Sequence, residues 1–179
     1  RSDRPRNIEI TSYAEVVLAP DAQDVSHPAF SNLFVQTELL HSPKGILCTR
    51  RPRSAEEKPP WMIHLMTVQG MSGSQISFET DRMKFVGRGG TLARPAAMYG
   101  NGNLSDSEGP VLDPVVSIRQ VVCIQPNEKI RIDLVIGVSE SRMAAISLAE
   151  KYHDPRLTGR VFDLAWTHSN AELHHLNVG

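Results

Sequence analysis

The segment at positions 8–18 alternates between two kinds of side chain, and this pattern restricts the fold more than any other feature of the chain. Its even positions are apolar or small: Ile8, Ile10, Ser12, Ala14, Val16 and Leu18. The odd positions around and within it include Asn7, Glu9, Thr11 and Glu15. A period of two places one set on the core face of a strand and the other in water. The segment therefore predicts a half-buried β-strand.

Further strand-like segments fill the first three quarters of the chain, at 30–40, 45–49, 61–68 and 76–85. The segment WMIHLMTV at 61–68 is apolar on both faces, which is typical of a central strand covered on both sides. The preceding loop, RRPRSAEEKPP at 50–60, is interpreted as a solvated connection whose acids neutralise its bases. Residues 87–114 are rich in Gly, Pro, Asn and Ser and predict a long loop, of a kind that is usually either functional or packed against a further element.

Two segments at 115–124 and 130–138 predict a β-hairpin joined by the turn Gln125-Pro126-Asn127-Glu128. In its second arm, five apolar side chains recur at every other position and predict a core face: Ile130, Ile132, Leu134, Ile136 and Val138.

The pattern then changes to helical. The segment SESRMAAISLAEKYHDP at 139–155 has a serine N-cap candidate and a stop at Asp154-Pro155, and a second helix is predicted over 160–176. An apolar stripe at helical spacing marks the second helix: Phe162, Ala165, Trp166, Ser169, Leu173 and Leu176. By pattern, both Trp61 and Trp166 are expected to be buried. The chain thus divides into a β-sandwich at 1–138 and a helical segment or linker at 139–179.

The composition of the chain argues against several classes of function. A chain of 179 residues with 40 % hydrophobic and 22 % charged residues is typical of one soluble globular domain. The net charge of -1 gives no general electrostatic case for nucleic acid. No apolar run reaches the roughly 18 residues that a membrane span needs, and the polar start RSDRPRN is unlike a signal peptide. Cys48 and Cys123 lack CxxC spacing; two reduced thiols are favoured over one disulfide.

The glycine-rich corner GRGG at 87–90 has two interpretations. Arg82, Lys84 and Arg88 lie near it, as an anion cradle would require. However, it lacks the GK[ST] ending of a P-loop, the GxGxxG spacing, and a helix beginning after Gly90. A structural corner is favoured over a phosphate cradle because sharp β corners need glycine.

Other candidates for chemistry also have structural alternatives. His168, Glu172 and His175 share one helical face at metal-ligand spacing, but a solvated polar face is favoured. His64 is interpreted as a hydrogen-bonded core histidine rather than a catalytic base. Glu79 and Asp81 are expected on one face of a strand, as solvated pairs commonly are. The residues alone predict no catalytic group, no metal and no cofactor.

Six stretches in a fixed order carry a resemblance to a known family. They are IEITSYAEVVLA (8–19), HPAFSNLFVQTE (27–38), TRRPRS (49–54), FETDRMKFVGRGGT (78–91), GPVLDPVVSIR (109–119) and LAEKYHD (148–154). Together they resemble the N-terminal β-sandwich domain of the inverting glycoside phosphorylases, which include the cellobiose and chitobiose phosphorylases. Within that family they are similar to the phosphorylase-type modules of bacterial cyclic β-1,2-glucan synthases. The resemblance covers nearly the whole chain.

The resemblance implies a mainly β fold, a supersandwich of the galactose-mutarotase-like kind, here truncated, with two C-terminal helices leading towards an absent (α/α)6 barrel. In that family the barrel carries the catalytic aspartate and the phosphate site, so this chain alone is expected to have no catalytic residues. Residues near the glycine corner are expected to contact carbohydrate or a neighbouring domain: Arg82, Arg88, Tyr99 and Asn101. The parent is expected to be a bacterial inner-membrane protein with this segment soluble on the cytoplasmic side.

Three hypotheses about the function follow. The leading one is a non-catalytic sandwich of a β-glucan-processing glycosyltransferase or phosphorylase, which positions the barrel and contacts glucan. The second is a free-standing lectin-like carbohydrate-binding module, and the third is an intact small enzyme, for which no turnover is expected. Expected partners are β-glucan or the barrel of the parent chain, with no nucleic acid and no direct membrane insertion. Self-association is also expected, because exposed sheet edges pair with other chains.

Overall fold

The computed structural model describes residues 3–69, 75–100 and 102–176, with only the backbone at positions 28 and 158. It is mainly β, with two antiparallel sheets and few helices. The strands are β1 (Arg6–Thr11), β2 (Ala14–Glu15), β3 (Val35–His41), β4 (Lys44–Arg50), β5 (Trp61–Gln69), β6 (Ile76–Asp81), β7 (Gly109–Pro110), β8 (Pro114–Ile124) and β9 (Arg131–Ser139). The helices are α1 (Asp21–Ser26), α2 (Pro28–Asn32), α3 (Arg82–Val86), α4 (Arg142–His153) and α5 (Pro155–His175).

The first sheet is built around β8. This strand pairs with β1 and β2 along one edge and with β6 along the other, so that Gln120 lies opposite both Ile10 and Ile76. The second sheet has the order β7-β3-β4-β5-β9. The mainly β fold with C-terminal helices that the sequence predicted is confirmed.

The main core lies between the two sheets. Its buried members are Val16, Leu18, Val35, Ile46, Cys48, Met62, Met66, Phe78, Val116 and Ile118. The other face of the second sheet is covered by α4, whose Ala145 and Ala149 are buried in a second cluster. Two features hold α4 there: Ser141 caps it by accepting from the Ala144 amide, and Arg142 forms an ion pair with Glu38 of β3. With both faces covered, β5 is the central buried strand that its sequence predicted.

The predicted hairpin is wrong. The turn at 125–128 exists, with Glu128 N donating to Gln125 O over 3.1 Å, but β8 and β9 belong to different sheets. Residues 125–130 carry the chain from one sheet to the other, a separation of about 10 Å that a short extended segment spans easily. β9 pairs instead with β5, from Trp61 opposite Ser139 to Gln69 opposite Arg131.

The predicted core face of β9 is buried only near its start. Ile132 packs against the main core, whereas Leu134, Ile136 and Val138 are 56 %, 56 % and 59 % exposed. Their neighbours in register on β5, Met66, His64 and Met62, are buried. The first sheet therefore covers β5 but does not extend over the later part of β9, which is the edge strand. The alternation correctly identifies one apolar face, but nothing among the described residues covers the later part of it.

Four local expectations need correction. Residues 30–32, expected within a strand, belong to α2, and β3 begins only at Val35. The strand expected at 76–85 ends at Asp81, where α3 begins because the Asp81 side chain accepts from Met83 N. Trp166, expected to be buried, is 71 % exposed along with the rest of the α5 stripe, and Trp61 is half-buried. Arg50, assigned to the solvated loop, is the last residue of β4 and is buried.

A hydrogen bond across the sandwich fixes the protonation of His64. Its Nε2 lies 2.8 Å from Ser12 Oγ, and the ring is buried between the sheets. Burial lowers the pKa of His64 to about 4, and a hydrogen bond to the Val135 backbone opposes this only in part. His64 is therefore a neutral core histidine, as the sequence favoured.

Both cysteines are free thiols, with Cys48 buried and its pKa raised to about 12 by burial.

Because the unfolded chain takes up the His64 proton near its ordinary pKa of 6.5 and the folded chain only near 4, folding stability falls as the pH drops through this window. By pH 4, protonation of His64 in the unfolded state lowers the free energy of unfolding by about 3 kcal/mol. We expect His64→Gln, which does not titrate, to be less stable than the parent at pH 7 and to close that gap at pH 4.5. Urea midpoints of both proteins at the two pH values test this. A gap that stays constant with pH would show that folding does not change the pKa of His64.

Candidate functional site

The glycine corner follows α3 directly. Gly87 has φ 84°, and its amide donates to Met83 O over 2.8 Å to close the helix. A Cβ at Gly87 would lie 2.6 Å from Ala96 Cβ, and one at Gly90 would lie 2.2 Å from Val86 O. Gly89, with φ 72°, faces open space. The corner is thus a sterically enforced turn, and the geometry supports the structural interpretation over a phosphate cradle.

Arg82 is engaged by its own chain. Its Nε donates to Glu15 Oε1 over 3.1 Å, and a guanidinium nitrogen lies 3.6 Å from Asp113 Oδ2. Tyr13 donates to the same Glu15 oxygen, and burial together with this carboxylate raises the pKa of Tyr13 to about 12. The hydrogen bond that Arg82 donates to Glu15 likewise raises the pKa of Arg82. Arg82 therefore ties α3 to β2 and to the entry of β8, and this weakens its case as a sugar contact.

Tyr99 is the exposed aromatic of this region. Its ring is 64 % exposed, and the Arg94 guanidinium stacks over it with Cζ 5.0 Å from the ring centroid. Arg88 is exposed and has no ion pair or hydrogen bond with any other described residue. Asn101 lies outside the described residues. The structure thus leaves Arg88 and Tyr99 available to a ligand, and it adds Arg94, which the sequence reasoning missed because a basic residue in a loop carries no pattern of its own.

The long loop is held to the first sheet by a buried carboxylate. Glu79, which was expected on a solvated face, is 2 % exposed and accepts from four donors. These donors are Thr80 N, Asp81 N, Ser105 N and the Ser107 hydroxyl. The expected pairing of Glu79 with Asp81 is wrong because a bulge shifts the register between them and turns Asp81 to cap α3. Glu79 is therefore a structural anchor.

A buried arginine provides a second anchor for the loop. Arg119 of β8 is 3 % exposed and donates to Gly102 O and Ala97 O over 2.8 and 2.5 Å. Its Nε contacts Thr11 Oγ1 at 3.0 Å and Glu9 Oε1 at 3.2 Å. Beside the two anchors is an open pocket of about 360 Å³, into which Lys84 also faces. The loop is consequently a fixed surface.

The histidine face of α5 is solvent-exposed. His168 Nδ1 lies 3.6 Å from Glu172 Oε1, and both side chains are more than half exposed. Among residues 3–69, 75–100 and 102–176, no group of three His, Cys, Asp or Glu side chains is placed to hold a metal ion. Within the same residues, no helix is both long and apolar enough to cross a membrane.

Comparison with known proteins gives two matches. The family model described as "Glycosyl hydrolase 94, supersandwich domain" matches residues 1–155. The chain is also 35 % identical over 173 residues to the cyclic beta-(1,2)-glucan synthase NdvB of Rhizobium meliloti (strain 1021). That alignment covers 97 % of this chain but 6 % of the relative. The resemblance drawn from the sequence is thereby confirmed at the level of the family.

The corner geometry predicts different costs for three glycines that are close in sequence. Gly89→Ala should lower the free energy of unfolding by about 1 kcal/mol, since only the positive φ is unfavourable. Gly87→Ala should cost about 3 kcal/mol or more, because strain and overlap with Ala96 add together. Gly90→Ala should also be costly, through overlap with backbone. Urea unfolding of the three variants measures the order, and equal costs at Gly87 and Gly89 would contradict the steric account.

Proposed function

Because this chain belongs to the Glycosyl hydrolase 94 supersandwich family, we propose that it is the non-catalytic β-sandwich portion of a β-glucan-processing glycosyltransferase or phosphorylase. Its task is to position a catalytic barrel, and its loops contact glucan. The chain spans 6 % of the length of the glucan synthase it matches, and the name of that relative supports a cyclic β-1,2-glucan as the product. In this proposal, residues 1–138 are the sandwich, 139–179 lead towards the barrel, and the segment lies on the cytoplasmic side.

One observation carries the positioning role: apolar side chains stay exposed around the free edge of β9 and along α5. Leu134, Ile136 and Val138 are exposed on the inner face of β9. The outer face of the same strand lines a groove of about 420 Å³ together with Val161 and Phe162 of α5. We name these exposed side chains of β9 and α5, with Trp166 further along the helix, the β9–α5 face. Exposed apolar area of this extent is typical of a surface that packs against protein.

Edge geometry adds to the same argument. β9 is nine residues long and pairs only on its β5 side. A long edge strand with an apolar face attracts further strands unless something covers it. The β9–α5 face therefore suits the packing of another protein element against both the strand edge and the helix.

Three buried ionisable groups are already engaged in the fold. Glu79 and Arg119 hold the loop, and His64 is hydrogen-bonded in the core. Catalytic acids need access to substrate, whereas these groups are enclosed. Their placement supports a structural role for the domain, with chemistry supplied elsewhere in the polypeptide.

The size of the native polypeptide tests the proposal first. An antibody raised against this chain should detect, in extract of the source organism, a single band far above 19.8 kDa. The expected reason is that the sandwich acts as one part of a large carbohydrate-active enzyme. A band at 19.8 kDa would overturn the proposal.

The open face also predicts self-association of the isolated chain. We expect the chain to form dimers or larger species at high concentration, and Ile136→Lys to abolish them by placing a charge in the apolar contact. Val25→Lys, the same change at another exposed aliphatic residue, on α1, is the matched control and should leave association unchanged. Light scattering across a concentration series measures both, and a parent chain that stays monomeric would contradict the role of this face.

The second candidate, a lectin-like module, is favoured by one observation: the Tyr99 ring stacked with Arg94 on a fixed loop. Exposed aromatic rings are common sugar platforms, and this ring is accessible. Titration with β-1,2-gluco-oligosaccharides separates the candidates. Saturable shifts at Tyr99 and Arg88 that disappear in Tyr99→Ala would support the lectin. The scaffolding proposal, in which the loops contact glucan only together with the barrel, expects no saturable binding to the isolated chain at millimolar ligand.

A further inference from the structure

Three arginines surround a single phenylalanine where β4 ends. The Cζ atoms of Arg50, Arg51 and Arg53 lie 5.3, 5.5 and 5.4 Å from the centroid of the Phe34 ring. Arg53 also lies 5.9 Å from the ring of Phe30, which packs edge-on to Phe34. We call this group the arginine cluster.

No carboxylate neutralises the cluster. Within the part of the chain that the structure describes, none of its three guanidinium groups is within 4.0 Å of an Asp or Glu oxygen. Glu57, the acid expected to balance the loop, instead accepts from the backbone amide of Arg53 over 2.5 Å. The expected mutual neutralisation of this loop is therefore wrong.

Arg50 is the unusual member of the cluster. It is 3 % exposed, and its Nε, Nη1 and Nη2 have no hydrogen-bond partner among the described residues. It lies opposite Val35 in register and two positions from Cys48, so its side chain enters the end of the core between the sheets. A buried guanidinium without an anionic partner is among the costliest groups a fold can hold.

Cation–π contacts compensate only part of this cost. Each contact with Phe34 is weakly favourable. The three like charges around one ring meanwhile repel each other. An oxyanion beside the exposed Arg51 and Arg53 would relieve this repulsion, since the arginine fork matches a carboxylate.

The surroundings of the cluster indicate a polypeptide rather than a small ion. Phe30 and Leu33, on and just after α2, are 54 % and 45 % exposed next to the exposed Arg51 and Arg53. Arginine beside exposed aromatic and aliphatic side chains is the composition of protein-interface hot spots. The charge and the apolar area together fit a segment that carries both carboxylates and apolar side chains.

We propose that the arginine cluster, with Phe30 and Leu33, is a docking site for an acidic polypeptide segment that has apolar side chains between its carboxylates. Arg51 and Arg53 receive the carboxylates directly. Arg50, behind Phe34, adds positive potential to the site and is retained at a cost to the stability of the domain. The site lies at the end of β4, separate from the β9–α5 face.

The probe is the synthetic peptide acetyl-Glu-Glu-Leu-Glu-Glu-Leu-Glu-Glu-amide, titrated while the arginine Nε–Hε resonances are followed by NMR. We expect saturable shifts of the Arg51 and Arg53 resonances, and about tenfold weaker binding in the double variant Arg51→Gln/Arg53→Gln. Arg160→Gln, the same change at an exposed position of α5, is the matched control and should bind as the parent does. A peptide with Gln in place of every Glu should not bind.

Arg50→Met separates binding from stability. We expect a higher urea midpoint than in the parent, because an unpaired buried charge is removed, together with weaker peptide binding. A lower midpoint with unchanged binding would make Arg50 a packing residue and overturn its role, and the double variant still decides the site if Arg50→Met fails to fold. The proposal would be overturned if the parent did not bind the peptide. It would also be overturned if the parent bound inorganic phosphate more tightly than the peptide.

Discussion

The contact between Ser12 and His64 joins the two sheets at the centre of the sandwich, and much of the architecture depends on it. Ser12 accepts from Ile118 N over 3.0 Å, its carbonyl accepts from the Ser117 hydroxyl over 2.7 Å, and its Oγ meets His64 across the core. Ser12 lies in the short break between β1 and β2, and these bonds connect it to β8 and to β5. Buried polar groups that are partnered in this way specify a register that apolar packing alone leaves free. This contact requires a neutral imidazole, which burial provides.

The unequal extent of the two sheets explains the main exposed surface. A sandwich buries the inner face of a strand only where the opposite sheet extends over it. The first sheet, centred on β8, covers β4 and β5, while the second sheet continues one strand further to β9. Leu134, Ile136 and Val138 thus occupy an inner face over which no described residue of the first sheet extends, whereas α5 borders the groove on the outer face of the same strand. The same geometry that completes the core around β5 leaves the β9–α5 face available.

The sequence predicts where the strands and helices lie better than it predicts which of them pair or pack together. The two-sided apolar pattern at 61–68 depends on local burial and is found as β5, whereas the strand predicted at 8–18 is found as the two shorter strands β1 and β2 with a break between them. Strand pairing depends on contacts far apart in sequence, so a turn at 125–128 suggested a hairpin that the sheets do not contain. Trp166 shows the same limit: helical spacing reveals an apolar stripe but not whether anything packs on it. At the candidate site, Arg88 and Tyr99 are exposed as expected, whereas Glu79 was misassigned because a bulge is not visible in an alternating pattern.

Buried charges in this domain fall into two kinds. Some are paired within the domain and support the fold, and one has no such partner and is assigned to binding. Glu79 accepts four hydrogen bonds, and Arg119 donates to two loop carbonyls and meets Glu9, so each compensates its burial within the domain. Arg50 is equally buried, and within the described part of the chain its guanidinium has the face of Phe34 beside it and no hydrogen-bond partner. If it served only to complete the core, an apolar side chain of similar length would fill the same volume without the desolvation cost. Its position behind two exposed arginines is what the proposed acidic partner accounts for.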